Sequence, residues 1–359
     1  MPALDGASVA GLVPSLFGMA DDAWIPEPAR SADAVVLLVL DGLGWSAVQD
    51  HAALMPNLTA LEGGAITTVA PSTTATALAS LVTGTPPAVH GIVGYRVKVG
   101  PGEVLNVLRW RTAQGDARER VPPDSFAGAP PFRGAPVPVV TRAEFRDTGF
   151  TGAHLRGARL VGWRVPSTLV TEVRSLLRAG ERLVYAYYDG VDKVAHEYGL
   201  GEAYDAEVAA VDRLVEDVAA ALTPGAALVV TSDHGQVDVG DRVEPLAAEV
   251  VELTTMLSGE GRFRWLHARP GMAAQLLDAA EAVYRERAWV RSFEAAEAEN
   301  WFGGRVSDLG RARLGDVAIA VHEPVALLDP ADTGEVHLRS RHGSLTSAEM
   351  SVPLLVHAA

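Results

Sequence analysis

Three short, almost unbroken apolar runs, far apart in the chain, each lead to an acidic residue. They are Ala34–Leu40 before Asp41, Leu183–Tyr188 before Asp189, and 226–230 shortly before Asp233. They lack the alternation of a half-exposed strand and are shorter than a buried helix, so they fit strands covered on both faces of a parallel sheet. Helical spacing of apolar residues lies between and beside them, at 74–81, Pro166–Arg178 and 202–222, the last stopped by Thr223-Pro224-Gly225. The pattern predicts an α/β fold: a doubly wound, mostly parallel central sheet with helices on both faces. Ligands on such a sheet collect at the carboxyl ends of the strands, where Asp41 and Asp233 emerge. A fourth run, 352–356, is placed to join the same sheet.

The 359 residues read as a core of residues 1–245 and 330–359 with a smaller inserted α+β subdomain, 246–329. The insert carries candidate strands at Phe263–Ala268 and Val317–Val321 and a helix at 272–287, and none of these ends in paired ligands. It is expected to pack at the edge of the main sheet. Within the core, a stretch rich in Pro, Gly and Arg at about 100–135 reads as an irregular insertion near the site, with a disordered loop as an equal alternative.

A net charge of −15 argues against binding a nucleic-acid polymer, which needs basic surface. An anionic substrate would have to be held by metal ions or a few local arginines. With no cysteine, any metal must be held by imidazole and carboxylate. The first residues lack the pattern of a secretory signal, and no apolar run reaches the roughly 20 residues that span a bilayer. The expectation is a cytoplasmic protein without a membrane partner; the oligomeric state is open.

Six candidate metal ligands fall in four segments. Asp192 and His196 are four apart, which on a helix puts both on one side; alone, such a pair usually meets only water. Asp233 and His234 are adjacent and followed by Gly235, so both reach one ion only if the strand is turning into a loop. Asp41 precedes Gly-Leu-Gly, where a lone Asp is commonly a cap. His342, between Arg341 and Gly343, says little by itself. The run Pro71-Ser72-Thr73-Thr74 reads as a helix start, where free N–H groups and the helix dipole suit a phosphoryl group. The plainer alternative is a hydroxyl cap.

Taken in order, with Leu81-Val82-Thr83-Gly84 and His90-Gly91-Ile92-Val93-Gly94, these segments resemble the alkaline phosphatase superfamily, and within it the nucleotide pyrophosphatase/phosphodiesterase family. The resemblance implies two divalent cations, zinc, one held by Asp192, His196 and His342 and the other by Asp41, Asp233 and His234. It implies a nucleophile ten residues before Gly84, which is Thr74, with Ser72 and Thr73 as alternatives. It further implies hydrolysis of a small phosphorylated substrate, a nucleotide or phosphodiester, through a phosphoryl- or nucleotidyl-threonine. The family's Asn after the His-Gly-Ile-x-Gly stretch is Tyr95 here, a candidate substrate contact of different reach. That departure keeps phosphonoacetate-hydrolase-like and phosphomonoesterase activities as alternatives, with a non-enzymatic homologue below them. A sulfatase is disfavoured, because no Cys or Ser stands in the arrangement that supplies its nucleophile. Lys98, near Tyr95, is a candidate for binding a substrate carboxylate. Arg96, Arg109, Trp110 and Arg111 are candidates for substrate contact, with an ordinary packing or surface role as the alternative.

Overall fold

The computed structural model describes residues 6–331 and 337–359. Residues 1–5, where the core's first span begins, and 332–336, just inside its second, lie outside the described residues.

A seven-stranded sheet forms the centre, in the order Glu62–Thr67, Ser351–Ala358, Ala226–Thr231, Ala34–Leu40, Leu183–Tyr188, Pro138–Arg142, Arg159–Trp163. The last five are parallel, and Ser351–Ala358 runs antiparallel to both its neighbours. The first strand explains the apolar runs. Val35, Leu37 and Val39 enter one apolar cluster with the helix Thr74–Thr83, while Val36, Leu38 and Leu40 enter another with the helices Pro166–Arg178 and Glu202–Ala219. Alternate side chains of one strand thus serve two helical layers, and neither face tolerates a polar residue. The expected mostly parallel, doubly covered sheet is present.

Element ends differ modestly from expectation. The helix from Glu202 stops at Ala219, three residues early, because Ala220–Leu222 tighten into turns before Pro224. The stretch after Tyr95 is no disordered loop. It forms a four-stranded antiparallel sheet, Arg96–Gly100, Glu103–Asn106, Arg111–Thr112 and Gly115–Asp116, followed by short 3-10 turns. Residues Thr254–Glu260, Phe263–Ala268, Val317–Val321 and Ala288–Ser292 make a second four-stranded antiparallel sheet, backed by the helix Ala273–Tyr284. Its Phe263 and Trp265 join the cluster that contains the helix Thr74–Thr83. Its strand Thr254–Glu260 lies against Arg96–Gly100.

Arg262, in the turn between two strands of that sheet, is wholly buried and forms a two-pronged ion pair with buried Glu349, both contacts at 2.8 Å. Glu349 also accepts the Ser344 N–H at 2.9 Å and the Thr346 hydroxyl at 2.6 Å. This network ties the smaller sheet to the segment that carries His342.

Candidate active site

Asp41 and Asp233 emerge from adjacent strand ends, and local glycines make room for them. Gly42 turns with φ +78°, a left-handed conformation that a side chain resists, and a Cβ there would stand 3.0 Å from Asp192. Gly235, after His234, passes so close to the Ala348 carbonyl that a Cβ would overlap it at 1.9 Å. Asp192 and His196 lie on the helix Gly190–Tyr198, which is joined to the first strand end where the Asp192 N–H meets the Asp41 carbonyl at 3.0 Å. His342 arrives on a two-stranded ribbon, Ser340–Arg341 paired with Val237–Asp238, and Ser72 bridges to Gly343 beside it.

The fold brings all six residues into one cluster. His234 Nε2 stands 3.3 Å from Asp41 Oδ1 and 3.5 Å from Asp233 Oδ2. Asp192 Oδ1 stands 3.2 Å from His196 Nε2 and 3.8 Å from His342 Nε2. Two sets, Asp41 with Asp233 and His234, and Asp192 with His234 and His342, each hold ligand atoms within 4.8 Å of one another. The rings of His234 and His342 stack at 3.5 Å.

Three observations fit divalent cations at this cluster. Each histidine spends Nδ1 on a backbone carbonyl: His196 on Ser340 at 2.6 Å, His234 on Gly235 at 3.0 Å, His342 on Ser72 at 2.9 Å. With the proton on Nδ1, every Nε2 presents a lone pair to the cluster. Second, Asp41 Oδ1 and Asp233 Oδ2 are buried with no hydrogen-bond partner among the described residues. Third, burial and then repulsion by Asp233 and Asp192 push the Asp41 carboxyl well above the usual range, burial raises Asp233, and burial holds His342 well below a normal imidazole. A buried group of carboxylates that repel one another, beside the His342 imidazole that resists protonation, is stabilised by a bound cation.

Other residues hold the cluster in place, and no periodicity or motif in the chain marks them. The Tyr187 hydroxyl donates to Asp41 Oδ2. Gln236 donates to Asp192 Oδ1 at 2.6 Å and is itself held by Ser340 at 2.9 Å. The Asp233 carboxylate accepts the N–H groups of Gly42 and His234 at 3.2 and 3.1 Å. Asp41 therefore caps no helix; its one bonded oxygen faces a tyrosine and the other faces His234.

The helix Thr74–Thr83 begins at Thr74, with Thr73 as an extended N-cap residue. The three hydroxyls differ in surroundings. Ser72 Oγ donates to the Ser344 carbonyl at 2.6 Å and accepts from Gly343 N–H at 3.2 Å, a structural bridge. Thr73 reaches the cavity wall. Thr74 Oγ1 lies 3.1 Å from His234 Nε2.

Thr74 lines two cavities. One, of about 270 Å³, is lined by Thr73, Tyr95, Arg109, His196, Glu260 and His342. The other, about 380 Å³, is largely apolar, with Leu78, Leu108, Phe145, Phe150 and Tyr187 in its walls. Glu260 comes from the end of a strand in the smaller sheet, a contribution that the sequence did not suggest. Of the candidate substrate contacts, Tyr95 and Arg109 reach the site. Trp110 does not: it is 1% exposed, its indole N–H is committed to Val121 O at 2.8 Å, and no face is left for stacking. Arg96 is buried and paired with Asp329 at 3.1 Å, while Arg111 lines a neighbouring cleft. Among the described residues, no helix is long and apolar enough to cross a membrane.

The sequence profile of the type I phosphodiesterase/nucleotide pyrophosphatase family matches residues 35–155 and 163–345. No curated protein matches by sequence. Among solved structures, murine ectonucleotide pyrophosphatase/phosphodiesterase 5 is similar with a TM-score of 0.68 at 17% identity, over 91% of this chain and 88% of its own. The same murine protein, as an inactive threonine-to-alanine variant in complex with AMP, gives 0.67 at 16% over the same shares, 91% and 88%. Phosphonoacetate hydrolase from Sinorhizobium meliloti, in complex with phosphonoformate, gives 0.64 at 20%, over 91% of each chain. At these identities the likeness is one of fold.

Proposed function

Because the chain belongs to the type I phosphodiesterase/nucleotide pyrophosphatase family, we propose that it is a metal-dependent phosphoester hydrolase acting on a small nucleotide or phosphodiester, with Thr74 as nucleophile. The observation that carries this reading is the Thr74 hydroxyl at 3.1 Å from His234 Nε2, inside a cluster whose three imidazoles all turn Nε2 inward. The AMP held by the inactive variant of the murine relative supports a nucleotide.

Asp192, His196 and His342 would hold one cation, and Asp41, Asp233 and His234 the other; zinc suits this imidazole and carboxylate set. Bound there, the cations would favour the deprotonated hydroxyl and offset charge on the leaving oxygen. The chain's own residues do the rest. Thr74 Oγ1 attacks phosphorus, the bond from phosphorus to the leaving oxygen breaks, and water then cleaves the threonine ester to release product. At the start of the helix the N–H groups of Thr74 and Ala75, which its ladder leaves over, would meet the phosphoryl oxygens. The apolar cavity takes the organic group and keeps water from it. A cytoplasmic setting belongs to the same proposal.

Phosphonate or monoester hydrolysis is the second reading, favoured by the similarity to phosphonoacetate hydrolase. Lys193, which lines the apolar cavity and pairs with Asp189, is the lysine placed to meet a carboxylate. The deciding experiment measures metal content and hydrolysis of bis-p-nitrophenyl phosphate, p-nitrophenyl phosphate, p-nitrophenyl thymidine-monophosphate and phosphonoacetate. Diester preference with about two metals per chain is expected. Preference for phosphonoacetate or the monoester selects the second reading, and an inactive protein that binds no metal overturns both.

A further inference from the structure

One wall of the Thr74 cavity is a turn that the central sheet does not require. Between the strands Glu103–Asn106 and Arg111–Thr112 the chain passes through Trp110 with φ 53°, a left-handed conformation that bulky residues rarely adopt. Backbone of this kind persists where its surroundings hold it. Here the buried indole is fixed by Val121 and packs edge-on against Phe126, with ring centroids 4.8 Å apart.

Asn106 joins this turn to Tyr95. Its Oδ1 accepts the Arg109 backbone N–H at 3.0 Å. A backbone N–H can only donate, so that contact fixes which way the amide faces. The Nδ2 then donates to the Tyr95 hydroxyl oxygen at 2.6 Å, and the phenol's own proton is directed away from Asn106. The Val107 N–H to Tyr95 C=O bond, 2.8 Å, locks the two segments a second time.

Tyr95 and Arg109 both line the cavity that holds Thr74, and Arg109 also lines the apolar cavity on the other side. The Arg109 side chain is exposed and makes no hydrogen bond or ion pair among the described residues. In a chain of net charge −15, such a guanidinium beside a carboxylate-rich cluster is suited to a forked contact with phosphate oxygens.

We infer that Tyr95, Asn106 and Arg109 act as one unit that receives the non-reacting oxygens of the substrate's phosphoryl group. The phenol and the guanidinium make the contacts, and Asn106 is the positioning residue that aims both. The inference rests on the phosphoester-hydrolase reading.

The test is calorimetric titration of the zinc-loaded protein with inorganic phosphate, alongside kcat/KM for the best ester. Arg109→Ala should weaken phosphate binding about tenfold to a hundredfold, the worth of a charged hydrogen bond, with partial recovery in Arg109→Lys. Tyr95→Phe and Asn106→Ser should each cost about tenfold; serine keeps a local acceptor for the Arg109 N–H but cannot reach Tyr95. Because Asn106 acts on the ligand through Tyr95, Asn106→Ser should add little in a Tyr95→Phe background, whereas a merely structural role predicts additive losses.

Phosphate affinity unchanged in Arg109→Ala, full additivity in the double variant, or no phosphate binding by the unaltered protein would each overturn the inference. The two readings fail separately. A protein that turns over no ester, yet shows this binding pattern, sinks the hydrolase reading and leaves the unit standing. Turnover without the pattern does the reverse.

Discussion

Thr74 Oγ1 stands 3.1 Å from His234 Nε2, and His234 Nδ1 is bonded to the Gly235 carbonyl at 3.0 Å. That second bond places the imidazole proton on Nδ1, so the hydroxyl is the donor and already leans toward the candidate cation ligands. Thr74→Ala should lower turnover on the order of a thousandfold or more while metal content stays unchanged, whereas Thr74→Ser should keep measurable activity. Ser72→Ala should instead lower thermal stability, because Ser72 bridges Gly343 and Ser344. Initial rates with metal analysis decide; a Thr74→Ala protein that still turns over moves the nucleophile to Thr73.

Tyr187 is 8% exposed and gives its hydroxyl proton to Asp41 Oδ2. It thereby fixes the carboxylate with its other oxygen toward His234. Partners of this kind are typically worth 10–100-fold in metal affinity. Tyr187→Phe should show a loss of about that size in competition with a chelating dye, with little change in unfolding temperature when metal is saturating. Unaltered affinity would mean that Asp41 is held by burial alone.

Removal of metal should reverse the effect of one substitution. Asp41 and Asp233 are both buried, and burial together with their mutual repulsion raises Asp41. In chelated protein the pair is a liability, and Asp41→Asn removes one of the two charges. That variant should be more stable than the unaltered protein in chelator, by on the order of 1–3 kcal/mol, and less stable in excess zinc because a ligand is gone. Denaturant melts under the two conditions test the crossing. The same sign in both would show that Asp41 does not hold a cation.

What could be read from sequence follows the range of the forces involved. The buried parallel strands announce themselves because both faces are covered, so each run is apolar throughout; Ala34–Leu40 and Leu183–Tyr188 match residue for residue. Asp41, Asp192, His196, Asp233, His234 and His342 were legible as a set because their order along the chain carries the resemblance. Tyr187, Gln236 and Asn106 were not, since one hydrogen bond to a residue 146, 44 or 11 positions away leaves no local pattern. Arg109 and Trp110 sit side by side in a polar, Pro-rich stretch. Composition could not tell that one faces the cavity and the other is buried, because the left-handed turn at Trp110 decides it.

The smaller sheet carries its own response to acid. His267, on the strand Phe263–Ala268, is 5% exposed, with Nε2 at 2.9 Å from Ser258 Oγ. Burial, then the positive charge of Lys98, lowers its pKa to about 4, against a partial opposing pull from Asp316. The unfolded chain takes up the proton near pH 6.5, so between about 6.5 and 4 it binds a proton that the folded protein refuses. Stability is therefore full above the unfolded value and falls as pH drops through that window, at up to about 1.4 kcal/mol per unit. His154, lowered to about 4, and His90, lowered to about 3, act with the same sign, burial being the main cause in each. Because His154 and His90 add to the same fall, the informative quantity is a difference between two proteins. From pH 6.5 to 5.0, His267→Gln should lose about 1.5 kcal/mol less than the unaltered protein, whatever its stability at neutral pH. Equal acid slopes in urea melts of the two would show that His267 takes up its proton in the folded state as readily as in the unfolded chain.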